Sequence, residues 1–442
     1  MPQPSLQAAI DAAGSPIDLL WKPEAPNWSV PVVAPEYTGW ASEQIAWRTT
    51  VTISDLSHHM SDLFIEGPDA KRLLSDYSAN NYESFEIGQA KQFVPVTEDG
   101  KIVTDGILMR IGVEKFSLTG VPAAQTWVRW HGETGGYDVE MTTDRDSSFR
   151  KGDPVLFRYQ VQGPRALDVV AEAFGGPLPK TKFFHSADVT LGGRKLRALR
   201  HGMTGMPGYE FIGDYADGAY VKEALMKAGE PFDMEHVGGK AYFTNGIESG
   251  WIPTPTPAIY TKCNLKAYRE WLPVFSYEGQ KPLNGSFWSE NIEDYYVSPW
   301  ELSYGKGIHP GHDFHGRDAL MAEKDEVRRV KVTLELNPED VARTIANGRD
   351  YYLSYSRYAI EAGGTMQGMT FWTGYIAPVD RILALSLIDR AYAEPGSQVE
   401  LVWGQHPGKT APEGTYEAFP RIRATVHPSP YSHHARTAYR KN

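Results

Sequence analysis

Strand-like and helix-like spacings alternate along the first half of the chain, and Gly-Pro pairs mark two of the changes. Residues 63–66 read as a short strand, after which Gly67-Pro68-Asp69 opens a helix over 70–77. Proline fits the first helical turn because the N–H it lacks would have no intrahelical partner there. Residues 93–96, 102–111 and 116–120 read as strands, with Glu98-Asp99-Gly100 as the turn of a hairpin. The signature returns at 155–161, a strand, and at Gly163-Pro164-Arg165, which opens a helix over Ala166–Phe174. Another helix is expected over 218–229, and no internal repeat stands out.

The flanks differ. Residues 1–45, with Pro23, Pro26, Pro31 and Pro35, are expected to form an extended lead-in. Pro253-Thr-Pro-Thr-Pro257 suits neither helix nor strand, since proline lacks a donor and fixes φ. Its aromatic neighbours Trp251, Tyr260, Tyr268 and Trp271 favour an ordered loop. From 326 onward the texture turns strand-rich (330–336, Ala359–Ala362, 384–388, 399–402). The expected architecture is α+β: a two-part body over 46–325 and a separate β-rich domain over 326–442, ending in a docking or frayed tail from 427.

Composition excludes several classes. With 44 basic against 55 acidic side chains, the net charge of −11 gives no general attraction to nucleic acid or anionic lipid. A lone Cys263 allows neither an intrachain disulfide nor a thiolate cluster. Residues 1–21 lack the basic start of a secretory signal, and no apolar run is long enough to span a bilayer. A soluble, cytoplasmic protein is expected. The 12 Trp and 24 Tyr suit ring-shaped ligands as well as large cores.

Candidate chemistry is sparse. His58-His59 could turn one ring to a ligand and the other to the core. His309, His312 and His315 have a metal-like spacing, but no nearby carboxylates complete a coordination sphere, so no metal is expected. Gly202-Met-Thr-Gly205-Met-Pro-Gly208 would let backbone approach a flat ligand, and the strand beginning at Tyr209 then delivers Glu210, a carboxylate able to accept paired N–H donors. The spacing fits neither a dinucleotide fingerprint nor a P-loop.

Taken together, these segments resemble the folate-dependent aminomethyltransferase family of the glycine cleavage T-protein. The resemblance rests on Asp55-Leu-Ser-His-His-Met60, Gly67-Pro-Asp-Ala70, Gly88-Gln-Ala-Lys91, Glu98-Asp-Gly-Lys-Ile-Val-Thr-Asp105, Gln162-Gly-Pro-Arg165, the turn before Glu210, Asp313-Phe-His-Gly-Arg-Asp-Ala-Leu320 and Gly374-Tyr375, in family order. It implies antiparallel sheets with packed helices around a central cleft, a barrel-like C-terminal domain and tetrahydrofolate as cofactor. Thr104 stands where the family has the first of two acids, which counts against glycine cleavage. Ala241-Tyr-Phe-Thr-Asn-Gly-Ile-Glu-Ser-Gly-Trp251-Ile-Pro253, followed by Tyr268-Arg-Glu-Trp-Leu-Pro273, is similar to the aryl O-demethylase branch that acts on vanillate and syringate.

That branch implies transfer of a methyl group from a lignin-derived aromatic methyl ether to tetrahydrofolate. Tyr242 would be the catalytic residue, and Glu210 would hold the pterin. Tyr209, Trp251, Tyr375 and Asp105 are further candidates for the cofactor, and His59 or His58 for the substrate. Val121 falls where the branch carries an arginine for an aromatic carboxylate, so either Arg129 supplies that contact or the substrate lacks the carboxylate. Methyl or aminomethyl transfer from a non-aromatic donor, and a non-catalytic folate-binding protein, are the alternatives.

Overall fold

The computed structural model describes residues 3–27, 29–30, 32–346 and 350–439. Two sheet-and-helix units form the body, and they repeat one order of elements. The first runs strand Ser61–Glu66, Gly67-Pro68, helix Ala70–Asp76, strands Ala90–Phe93, Gly106–Arg110 and Lys115–Gly120, helix Pro122–Thr134, strand Glu140–Asp144. The second runs strand Leu156–Gln162, Gly163-Pro164, helix Ala166–Phe174, strands Ser186–Leu191, Arg194–Arg200 and Gly208–Asp214, helix Tyr215–Gly229, strand Met234–Val237. Val51–Asp55 is inserted into the second sheet between Leu156–Gln162 and Met234–Val237, parallel to the latter. The repeat escapes the sequence because it lives in topology, with only the Gly-Pro pairs as its trace. Both glycines adopt φ near +135° (139° and 133°), and a Cβ would fall 2.5 Å from Asp138 O at Gly67 and 2.7 Å from Thr50 O at Gly163.

Strand alternation then decides what each sheet offers. Leu63, Ile65, Phe116 and Leu118 face the helices of the first unit, and Tyr159, Val161, Tyr209 and Phe211 those of the second. The intervening residues Asp62, Thr119, Arg158 and Glu210 point the other way, and Arg158 reaches from one sheet to Asp62 and Thr119 on the other. The two sheets therefore meet through their helix-free faces. Part of that space is apolar (Ala90, Met109, Leu199, Ile212), and part is the ion-pair network.

The C-terminal strands Thr365–Ile376, Ala359–Ala362, Gln398–Val402, Arg421–Pro428, Arg329–Leu336 and Arg381–Asp389 close into a six-stranded barrel, with Leu353–Ser354 added to Thr365–Ile376. The start of the chain is not wholly extended as expected. Ser5 and Ser15 cap helices Leu6–Ala13 and Pro16–Leu20, with Pro16 acting as a helix starter, and helix Trp40–Thr49 begins inside the expected lead-in. Pro31 lies outside the described residues. No helix among the described residues is long and apolar enough to cross a membrane.

Candidate active site

Tyr242 ends the short helix Gly239–Tyr242, not a strand. Two segments fix it. The Pro-rich stretch before residue 40 accepts Gly239 N–H at Ala34 O and Lys240 N–H at Pro35 O, both at 2.9 Å. Helix Trp40–Thr49 grips the residues just beyond Tyr242. Gln44 Nε2 donates to Thr244 Oγ1 at 2.8 Å, Trp47 Nε1 to Glu248 Oε2 at 3.0 Å, and Arg48 pairs with Glu248. The carboxylate of the Glu248-Ser-Gly-Trp251 stretch thus serves the scaffold.

The Tyr242 ring is buried and lies 4.2 Å from that of His59, with Phe243 5.5 Å from the same histidine. Burial, then the charge of Glu210, push the phenol well above its ordinary value. Tyr242 is therefore protonated at neutral pH, and its hydroxyl makes no hydrogen bond among the described residues. His59 is buried with neither ring nitrogen partnered, and burial holds it down to about 4. His58 turns away, its Nδ1 2.9 Å from Ser147 Oγ. Of the two adjacent histidines, His59 is the one beside Tyr242.

A pH dependence arises from His59. Its folded value of about 4 lies below the ordinary 6.5, so between these limits the unfolded chain binds the extra proton. Stability from this group is complete above pH 6.5 and is lost as pH falls toward 4, at up to about 1.4 kcal/mol per pH unit. His131 and His236, also pushed down by burial, act in the same direction. Denaturant unfolding between pH 4 and 7 should show a shallower acid limb for His59→Gln than for the wild type; identical limbs would remove His59 as the source.

Glu210 shares the buried Arg158 with Asp62. Arg158 Nη1 donates to Glu210 Oε1 at 3.0 Å and Nη2 to Asp62 Oδ1 at 2.7 Å, and Thr119 bonds to both Arg158 and Asp62. Burial lowers the guanidinium, but the two carboxylates outweigh it and the net direction is up. Opposite Glu210 in the ladder, Gln160 donates Nε2 to His201 O at 2.8 Å and keeps a buried Oε1 with no partner. A carboxylate beside an unpaired amide oxygen suits a ring with neighbouring N–H donors, and a pterin is such a ring.

The turn before Glu210 is held from two sides. Gln162 Oε1 accepts Met203 N–H at 2.9 Å, and Tyr439 OH accepts Gly202 N–H at 2.8 Å while lying 3.2 Å from His201 Nδ1. A Cβ at Gly205 would fall 2.7 Å from Ala435 Cβ, and one at Gly250 2.6 Å from Ser429 Oγ. The close approach these glycines allow is therefore to the chain's own tail, which is docked as far as Tyr439.

Other candidates scatter. Asp105 is buried, accepting from Trp251 Nε1 at 3.0 Å and from Gln92, with the Tyr304 hydroxyl beside it; burial pushes its carboxyl up. Tyr209 is a correction: strand alternation puts its ring in the helix-facing core, opposite Glu210. Tyr375 is another, with its ring in the barrel core and its hydroxyl 2.6 Å from Asp380 Oδ1. Val121 caps helix Pro122–Thr134 without a side-chain hydrogen bond. Arg129 on that helix pairs with Glu133 at 2.9 Å and covers Trp271, so it does not replace a charge at 121. His312 lies between carbonyls of His309 and Ser78, whereas His315 packs among Tyr77, Trp127 and His131. Sequence reasoning missed Arg158, Asp62, Thr119 and Gln160; the polar positions breaking otherwise apolar strands were the available signal.

A family model described as the GCVT N-terminal domain matches residues 22–255, more than half the chain. The chain belongs to the GCVT family. Among GCVT relatives, a syringate O-demethylase from a Sphingobium species is 37% identical, covering 98% of this chain and 97% of its own. A sesamin methylene transferase from a Sinomonas species is 28% identical over 90% and 89%. The fold is that of glycine cleavage system aminomethyltransferase T from Bartonella henselae: TM-score 0.64, 19% identity, 96% of each chain.

Proposed function

We propose that this protein demethylates a methoxylated aromatic compound of the lignin-derived, vanillate- or syringate-like kind, moving the methyl group to tetrahydrofolate and releasing a phenol. The observation that carries the reading is Tyr242: a buried phenol, kept protonated, whose hydroxyl makes no hydrogen bond among the described residues, beside a neutral His59 whose ring nitrogens have none there either. An aryl methyl ether resists cleavage because a phenolate must leave, and a donor aimed at the ether oxygen acts where that charge develops. A phenol held protonated keeps its O–H available as a donor to the leaving oxygen. His59, neutral, can bond to a polar substituent of the ring while Phe243 supplies apolar wall.

Tetrahydrofolate, when bound, supplies an amine nitrogen as methyl acceptor. Glu210 and Gln160 would hold its pterin by accepting N–H donors, and Arg158 orients Glu210 for that task. Trp251 and Asp105 are a second set of contacts for the cofactor. Identity favours an aromatic donor over glycine-type chemistry: 37% with the syringate enzyme against 23% with an aminomethyltransferase from a Thermotoga species. A reducing cytoplasm suits the single, exposed Cys263.

Incubation with tetrahydrofolate and a panel of methoxylated aromatics should yield methyltetrahydrofolate and demethylated phenol in equal amounts by mass spectrometry. Methyl transfer from sulfonium or amine donors alone, with every aryl ether untouched, would overturn the reading.

A further inference from the structure

Two cations are buried together without a counter-ion. Lys281 is 9% exposed and Arg357 2%, and among the described residues no carboxylate lies within ion-pair distance of either. Arg357 donates to carbonyls only, Tyr355 O at 2.8 Å, Phe371 O at 3.3 Å and Thr254 O at 2.9 Å, and its Nε is buried with no partner. Among the described residues, Lys281 Nζ donates one hydrogen bond, to Tyr277 OH at a long 3.4 Å. The nearby Thr254 Oγ1 is likewise buried and unpartnered. Glu278 forms no ion pair with either: its Oε1 accepts from Thr126 and from Tyr268 OH, and its Oε2 is buried without a partner among the described residues.

A buried ammonium with no partner is strongly unfavourable, because the desolvation of the charge is not offset. Burial and then Arg357 push Lys281 well below its ordinary range, and burial lowers Arg357 to about 10. A purely structural role would be served better by an apolar residue of the same volume. The pair makes sense when a ligand brings the missing negative charge.

Position says which ligand. Tyr277, Tyr355, Trp372 and Phe243, the residue after Tyr242, pack in one cluster, and the Tyr355 ring is 5.6 Å from that of Trp372. Thr126, which bonds Glu278 next to Tyr277, sits on the helix whose N-cap is Val121. The cations thus adjoin the aromatic cluster that includes Phe243, the neighbour of Tyr242.

We infer that Lys281, backed by Arg357, Tyr277 and Thr254, receives the carboxylate of the aromatic substrate, so that methoxybenzoates and not neutral methoxyphenols are the preferred class. The inference rests on the demethylase reading and names the substrate class of that site. A carboxylate accepts several donors at once, and the free N–H groups of Lys281 and Arg357 with the two hydroxyls supply them.

Calorimetry tests this without turnover. Wild-type protein should bind a methoxybenzoate about 10- to 100-fold more tightly than the matching methoxybenzamide, the usual worth of a charged hydrogen bond. Lys281→Met should erase that preference and Lys281→Arg keep part of it, while tetrahydrofolate affinity is the same in all three proteins. Equal binding of acid and amide by the wild type overturns the inference, and needs no variant to fold. Weakened tetrahydrofolate binding with unchanged benzoate binding in Lys281→Met assigns the site to the folate carboxylates and overturns it too. A protein that binds methoxybenzoate in this manner yet forms no methyltetrahydrofolate would instead contradict the demethylase reading and leave the carboxylate site standing.

Discussion

Tyr242→Phe should lower turnover by about two to three orders of magnitude, the loss of one well-placed donor of roughly 2.7–4 kcal/mol in comparable oxyanion sites. The ring and its 4.2 Å contact with His59 are kept, and the lost hydroxyl has no partner among the described residues, so unfolding should change little. Because the bond strengthens only as the ether oxygen gains charge, kcat and kcat/KM should fall together. Steady-state rates at saturating tetrahydrofolate decide it. A Phe variant at near wild-type rate would reduce Tyr242 to a wall residue, and the proton would have to come from His59 or Asp105.

Arg158→Met should cost about 3–5 kcal/mol of stability, because it strands Asp62 and Glu210 as buried carboxylates with no cation between them. The two sheets of the body meet at this residue. Denaturant unfolding followed by the tryptophans should show the midpoint move to lower denaturant. Asp62→Asn in the same chain should recover part of the loss by removing one stranded charge. If Arg158→Met alone leaves the midpoint where it was, the network is dispensable and another group orients Glu210.

The features legible in the sequence are those the backbone itself dictates. Gly67-Pro68 and Gly163-Pro164 mark helix starts correctly, since one residue needs positive φ and the next fixes it. The barrel is legible as a strand-rich texture, though its closure, Thr365–Ile376 against Arg381–Asp389, depends on pairing no local signal records. Glu210 is found through a glycine-rich neighbour, but its partner Arg158 gains meaning from Asp62, 96 positions away, and escapes notice. Tyr209 is misplaced although period-two alternation already puts it opposite Glu210. The helices before residue 40 are lost to a count of prolines that starts at Pro23, after both helices have ended, yet is extended to the whole lead-in.

The clamp on the turn before Glu210 has a consequence for biosynthesis. Tyr439 comes 237 positions after Gly202. A ribosome adding roughly 5–20 residues per second takes about 12–47 s to cover that interval. Through that time the second sheet can form and helix Tyr215–Gly229 can pack on it, while the loop that leads to Glu210 lacks one of its two anchors. A nascent chain would therefore acquire its body well before it acquires a finished cofactor pocket, and translation must pass Tyr439 before the anchor can form.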